Sequence, residues 1–194
     1  MSDREHVFLF HSALGVGPAV LDWAERLRGE GHEVETPDVY DGAVFDDLDE
    51  GVAKADAMGM EEAMRRAQEA VAGSEPGYVP AGFSFGAAAA QAVAQNREGA
   101  KGVILMHGAL GAEDVGPAWP AGVPVQIHYA VDDPWVEADA AESLAVSVRA
   151  AGADADVYVY PGSGHLFADP GQPDYDPELA DRMWSRVLAF LRGL

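Results

Sequence analysis

Short apolar runs alternate with longer amphipathic segments through this chain. The runs have the length of strands and are bounded by Gly, Pro and Asp, which indicates buried strands of a parallel sheet. Strands are predicted at residues 6–10, 33–36, 77–83, 102–106, 125–130 and 155–160. Helices are predicted at residues 19–29, 45–58, 60–72, 85–95, 137–151 and 178–192, and long loops at 107–124 and 161–177. Strands that alternate with helices predict an α/β fold, with a mostly parallel central sheet and helices on both faces.

Length and composition favour a single domain. With 194 residues, 48% of them hydrophobic, the chain can build one substantial core over residues 1–194, with no room for a large cap domain. It shows neither a run of about 18 apolar residues nor a basic start followed by an apolar segment, so we expect a cytoplasmic protein without a membrane partner. We expect a monomer or a small homo-oligomer.

The net charge is −21, from 33 acidic and 12 basic residues. Such a surface repels phosphate backbones, which argues against nucleic acid as a partner. It fits a salt-rich environment, and it equally fits a generally acidic proteome. Cysteine is absent, which excludes disulfides, thiolate zinc sites and a cysteine nucleophile.

A Gly-x-Ser-x-Gly pattern is centred on Ser84, between a predicted strand and an Ala-rich predicted helix. Gly82 and Gly86 leave space around a sharp turn that would lift the Ser84 hydroxyl above the sheet edge. The helix that follows would direct free amides at the same point. A small-residue turn with no chemistry is the alternative, but the context on both sides favours a nucleophile.

A serine nucleophile needs a histidine base and a carboxylate that orients it. Asp132 and Asp133 follow the strand at 125–130, and His165 follows the strand at 155–160. Both loops leave the sheet edge that presents Ser84, and the order Ser, Asp, His is that of α/β-hydrolases. His165 is preferred to the other histidines, which lie within strands, after a helix or at strand ends. Either aspartate satisfies the pattern.

Two backbone amides are predicted to form the oxyanion hole, those of Phe85 and Ala13. The segment around Ala13 is also typical of an ordinary strand-to-helix turn. Pocket walls are predicted from apolar and aromatic residues on loops at the same edge, although any one of them could instead cap the core. They are His11, Leu14, Tyr40, His107, Trp119, Trp135 and Phe167. No metal cluster is apparent, and the predicted chemistry needs no cofactor.

These motifs together resemble the dienelactone hydrolase family of the α/β-hydrolase superfamily, nearly end to end. The resemblance rests on His-x-x-x-Gly from position 11, Thr-Pro-Asp-Val-Tyr from position 36, Gly-Phe-Ser-Phe-Gly, Asp133-Pro134 and Gly-His-x-Phe from position 164. It implies that Asp133 is the acid, because Ala130 stands where the family's acid loop has its glycine. Asp132 stays open as the alternative.

Three departures from the family separate this chain from the characterised dienelactone enzymes. The characterised enzymes of the family that this chain resembles use a cysteine nucleophile, a glutamate that helps to activate the thiol, and an arginine that helps to bind the substrate carboxylate. Here those positions hold Ser84, Ser12 and Asp169. We therefore expect a serine esterase acting on a small neutral or cationic ester or lactone, not on dienelactone itself. The alternatives are a non-catalytic ligand-binding homologue, and an acyltransferase, thioesterase or peptidase with the same triad.

Overall fold

The strands and helices follow one another as the sequence predicts along residues 4–194, the part of the chain that the computed structural model describes. The strands are β1 His6–Phe10, β2 Glu33–Glu35, β3 Tyr78–Phe83, β4 Val103–Met106, β5 Val125–Ala130 and β6 Ala155–Tyr160. The helices are α1 Pro18–Gly29, α2 Leu48–Met58, α3 Met60–Ala70, α4 Phe85–Asn96, α5 Ala112–Val115, α6 Ala138–Ala150 and α7 Pro177–Gly193. The first three residues of the predicted domain lie outside the described part.

The strands form one six-stranded sheet in the order β2-β1-β3-β4-β5-β6, with every neighbouring pair parallel. The predicted α/β-hydrolase fold is confirmed, and the described residues, 4–194, form no large cap domain. The α5 turn is a correction, because it lies inside the segment predicted as the loop 107–124. Parallel pairing brings the carboxyl ends of β3, β5 and β6 to one edge of the sheet, where the loops that follow them meet.

Successive side chains along the strands point to opposite faces of the sheet, and they contribute to two hydrophobic cores, one on each face. Val7 and Leu9 pack in one core with α1 and α7, and Phe8 and Phe10 pack in the other with α4 and α6. Every residue of α4 from Phe85 to Gln95 is buried. Small alanines let this helix lie close to the sheet, and its N-terminus is therefore held firmly beside Ser84.

None of the helices within residues 4–194 combines the length and the apolar character needed to cross a bilayer.

Candidate active site

Ser84 sits on a strained turn between β3 and α4, with φ 52° and ψ −113°. A non-glycine residue rarely adopts a positive φ, so the surrounding packing must enforce it. The two flanking glycines explain how. A Cβ at Gly82 would overlap the backbone of Gly86, and a Cβ at Gly86 would overlap the carbonyl oxygens of Phe10 and His11. Only glycine at both positions lets the turn close against β1.

Three side chains from three loops form a hydrogen-bonded chain. Ser84 Oγ lies 2.7 Å from His165 Nε2, and His165 Nδ1 lies 2.7 Å from Asp133 Oδ2. The second oxygen of Asp133 accepts the Trp135 amide at 2.9 Å, so both carboxylate oxygens have partners. His165 and Asp133 are both buried. Burial away from water strengthens these contacts and fixes their direction.

The structure brings Asp133, and not Asp132, to His165. The two loops that carry the acid and the histidine are tied by backbone bonds from Val131 to Tyr160 and from Asp132 to Gly162. The Asp132 side chain is left exposed to solvent. The Asp133 amide donates to the carbonyl of Ala130 at 3.2 Å, and this turn directs the Asp133 side chain inward.

The two amides predicted for the oxyanion hole belong to residues of one buried cluster, which includes Ala13 and Phe85. Phe85 is the first residue of α4, where amides have no partner inside the helix. In the hydrogen bonds found within residues 4–194, neither amide has an acceptor. Gly51 of α2 lies directly against the carbonyl of Ala13, because a Cβ there would overlap it. The loop after β1 is thus fixed from the α2 side as well.

Ser84 and His165 open into a cleft of about 170 Å³. Of the predicted walls, His107 and Trp135 line it. The sequence analysis missed the other apolar wall side chains, which come from α2, α3, α4 and the segments after β4 and β5; they include Leu48, Val52, Met60, Ala88, Leu110 and Val136. Leu48, Val52 and Met60 lie in helices, where apolar spacing is also typical of core positions, so no local signal distinguished them.

Five predicted wall residues lie elsewhere. His11, Tyr40, Trp119 and Phe167 are buried away from the cleft, and Leu14 faces a neighbouring cavity. The Tyr40 ring packs against those of His11 and Phe85, with centroids 4.8 and 5.5 Å away. The Trp119 indole donates to the Val123 carbonyl at 2.8 Å, inside the core on the α4 and α6 face. Burial of a large aromatic side chain removes much apolar surface from water, which favours its place in a core over one in an open cleft.

The neighbouring cavity has a volume of about 330 Å³ and lies on the other side of the Ser12–Leu14 loop. Three carboxylates line it, those of Asp22, Asp46 and Asp169, and none of its lining residues is basic. Burial raises the pKa of the Asp169 carboxyl above its usual value, against the bond from the Gly171 amide, which lowers it. A negatively charged group would be repelled in this cavity.

His107 directly follows β4 with φ 63° and is buried at the wall of the cleft. Burial, together with nearby His165 and His128, places the pKa of His107 well below its usual range. Its Nδ1 is buried without a hydrogen-bond partner among the described residues. His128 lies behind it and bonds the Tyr160 hydroxyl and Gln126, and burial lowers the pKa of His128 to about 3. Both imidazoles are therefore neutral at physiological pH.

Within residues 4–194, no three histidine or carboxylate side chains converge in a way that could hold a metal ion.

Known proteins resemble this chain in sequence and in fold. The model of the dienelactone hydrolase family matches residues 3–194. A Yersinia pestis protein that carries the name carboxymethylenebutenolidase is 32% identical over 115 residues, 55% of this chain and 43% of that protein. The chain thus matches less than half the length of this curated relative.

Two solved structures share the fold. One is a dienelactone hydrolase-like promiscuous phosphotriesterase from metagenomic libraries, with TM-score 0.81 and 23% identity, covering 98% of this chain and 87% of that chain. The other is a Klebsiella pneumoniae protein described as a dienelactone hydrolase, with TM-score 0.78 and 22% identity, covering 98% and 88%. At these identities the similarity establishes the architecture.

Proposed function

Because the chain belongs to the dienelactone hydrolase family, we propose that it is a serine hydrolase that cleaves a small neutral ester or lactone through an acyl-Ser84 intermediate. The observation that carries the proposal is the hydrogen-bonded chain from Ser84 through His165 to Asp133, with 2.7 Å at both steps. Its members have the types and the order of contacts that activate a serine hydroxyl.

In the first half-reaction, Ser84 Oγ attacks the substrate carbonyl while its proton passes to His165 Nε2. Asp133 accepts the His165 Nδ1 proton in a hydrogen bond throughout, which holds the imidazole in the tautomer that leaves Nε2 free to act as base. The tetrahedral intermediate then collapses, and the C–O bond to the alcohol breaks. His165 returns its proton to the leaving oxygen.

In the second half-reaction, a water molecule gives a proton to His165 Nε2 and attacks the acyl carbon. The second tetrahedral intermediate then collapses, and the bond between the acyl carbon and Ser84 Oγ breaks. His165 gives its proton to Oγ, which restores the Ser84 hydroxyl and releases the carboxylic acid. With a lactone, the alcohol and the acid leave as one molecule.

The negative oxygen of each intermediate is assigned to the amides of Ala13 and Phe85. The Phe85 amide also lies at the positive end of the α4 dipole. Removing one such donor in comparable sites lowers kcat by about 10²–10³-fold, so this pair supplies a large share of the rate.

The charge around the site supports an uncharged substrate. The cleft beside Ser84 is walled by apolar side chains such as Val52 and Met60. Asp169 stands at the position where the family resemblance implies a carboxylate-binding arginine, and it faces the acidic cavity beyond Ser12. A carboxylate-bearing ester would find neither lysine nor arginine among the residues that line the cleft.

The first test is labelling of the purified protein with a fluorophosphonate probe, with mass mapping of the adduct. We expect one adduct on Ser84 that is absent in Ser84→Ala and strongly reduced in His165→Ala. Folded wild-type protein that stays unlabelled from neutral to mildly alkaline pH would contradict the proposal and favour a non-catalytic binding protein.

The second test compares matched short-chain esters that differ only in a terminal carboxylate. We expect the neutral member to have the higher kcat/KM. Preference for the anionic member would overturn the substrate assignment while leaving Ser84 as nucleophile. An added alcohol or thiol that captures the acyl group faster than water would instead identify an acyltransferase.

Location in the cytoplasm, and assembly as a monomer or small homo-oligomer, stay predictions from the sequence.

A further inference from the structure

His11 is enclosed behind the oxyanion loop, with only 1% of its surface exposed. Its Nδ1 lies 2.7 Å from the carbonyl oxygen of Ser12, and its Nε2 lies 3.2 Å from the amide nitrogen of Val39. The Val39 amide can only donate, so Nε2 is the acceptor and Nδ1 carries the proton. One neutral tautomer therefore satisfies both contacts.

The Ser12 carbonyl and the Ala13 amide are two ends of the same peptide group. The chain within residues 4–194 has no cis peptide bond, and in a planar trans peptide the C=O and the N–H point in opposite directions. A donor that holds the Ser12 oxygen on one side consequently fixes the direction of the Ala13 N–H on the other. His11 Nδ1 and the Gly15 amide, at 3.2 Å, are the donors on that oxygen.

We infer that His11 is a positioning residue, which directs the Ala13 amide toward the oxyanion by holding the Ser12–Ala13 peptide plane. The inference rests on the proposed function, in which Ala13 is an oxyanion donor. His11 itself touches no reacting atom, since it does not line the cleft that contains Ser84.

The surroundings of His11 support a fixed neutral ring. The Tyr40 ring packs edge-on against it with centroids 4.8 Å apart, and the Phe85 ring lies 6.3 Å away. Burial lowers the pKa of His11, and this outweighs the opposing effects of the Ser12 carbonyl and the Asp38 carboxylate, which lies 3.9 Å from Nε2. A proton on Nε2 would also break the hydrogen bond from the Val39 amide, because Nε2 could no longer accept it. The neutral ring keeps both bonds.

Two conservative substitutions separate the two contacts. An asparagine amide nitrogen at position 11 falls where Nδ1 is, so His11→Asn keeps a donor for Ser12 and loses the acceptor for Val39. A glutamine amide reaches the position of Nε2, so His11→Gln keeps the acceptor for Val39 and loses the donor for Ser12. A purely structural histidine would make the two variants equivalent in activity.

The experiment measures kcat and KM of both variants with a neutral p-nitrophenyl ester, with Ser84→Ala as the baseline. We expect His11→Gln to lose about 100-fold in kcat with little change in KM, the loss typical of a misdirected oxyanion donor, and His11→Asn to stay within about 10-fold of wild type. Equal losses in the two variants, or a loss confined to KM, would overturn the inference. Wild type no faster than Ser84→Ala would instead overturn the proposed function.

Nuclear magnetic resonance tests the geometry independently of activity, and the tautomer in the wild type tests it independently of variant folding. In the ¹⁵N-labelled wild type, the imidazole of His11 should be in the Nδ1–H tautomer. The Ala13 amide resonance should move in His11→Gln and stay near its wild-type position in His11→Asn. An Nε2–H tautomer in the wild type would contradict the inference even if neither variant could be purified.

Discussion

The helix behind Ser84 and the helices that wall its cleft are built in opposite ways. Along α4, all residues from Phe85 to Gln95 are buried, and most of them are alanine. Along α2, only Gly51 is fully buried, and along α3 only Ala63 and Ala67 are. Ser84 therefore precedes a helix that cannot shift without disturbing both the sheet and its neighbours. The cleft wall carries larger side chains that face open space, where they can be exchanged at little expense to the fold.

The largest expected effect separates the buried acid from its exposed neighbour. In Asp133→Asn, the amide oxygen keeps the Trp135 amide as its donor and the NH2 group faces His165 Nδ1, which favours the wrong tautomer. We expect kcat to fall by about 10⁴-fold. Steady-state hydrolysis of a neutral ester measures it. Asp132→Asn is the matched control, because its side chain is exposed, and its kcat should remain close to wild type. Comparable losses in both variants would mean that the acid acts through the loop as a whole.

The next largest effect is expected at Gly86, where the Ser84 turn depends on the absence of a Cβ atom. Gly86→Ala forces a Cβ into the carbonyl oxygens of Phe10 and His11, and we expect a loss of about 3 kcal/mol in the free energy of unfolding, as in overpacked cores. Urea denaturation measures it. Gly29→Ala is the control, since a Cβ there meets no atom within 4 Å, and alanine favours the helix by up to about 1 kcal/mol. Equal midpoints would show that the turn can relax.

The protein interior contains several buried, neutral histidines, whereas α2 and α3, which wall the cleft, contain no histidine. Burial lowers the pKa of His128 to about 3, below its unfolded value of 6.5. The unfolded chain therefore binds more protons below pH 6.5, and stability falls as the pH falls from 6.5 toward 3. Each such histidine contributes a slope of about 1.4 kcal/mol per pH unit in this window.

Urea midpoints measured from pH 7.5 to pH 5 check this expectation. The buried His11 and His107 act in the same direction, because burial lowers the pKa of each. His128→Gln should flatten the slope, whereas the same change at the partly exposed His6 provides the control. A midpoint that does not change below pH 6.5 would show that these histidines are charged in the folded protein or that water reaches them.

The smallest effect belongs to the cleft wall. Met60 is 42% exposed at the edge of the cleft. We expect Met60→Ser to change KM for a neutral ester only a few-fold, which corresponds to about 1 kcal/mol of binding free energy, and to leave kcat and stability nearly unchanged. Val146→Ser on α6 is the control, because this exposed valine lies outside the cleft. A large fall in kcat for Met60→Ser would mean that the wall also positions the reacting groups.

Local pattern in the sequence was sufficient to predict the alternating strands and helices, and the turn at Ser84. Both depend on near neighbours along the chain: apolar periodicity sets burial, and Gly82 and Gly86 set the room for a sharp turn. The order of the loops also pointed to His165, because parallel strands end at one edge of the sheet.

The family resemblance favoured Asp133 over Asp132, but only the tertiary structure brings Asp133 to His165. It also places His11, Tyr40, Trp119 and Phe167 inside the protein instead of in the cleft. The sequence shows which residue stands at the end of a strand, but it does not show whether the side chain points toward solvent, substrate or core. The choice depends on what distant segments bring against it, such as the Val39 amide at His11 or α2 beside Ala13. Those contacts arise between elements far apart in the chain, so they form only when the sheet brings the elements together.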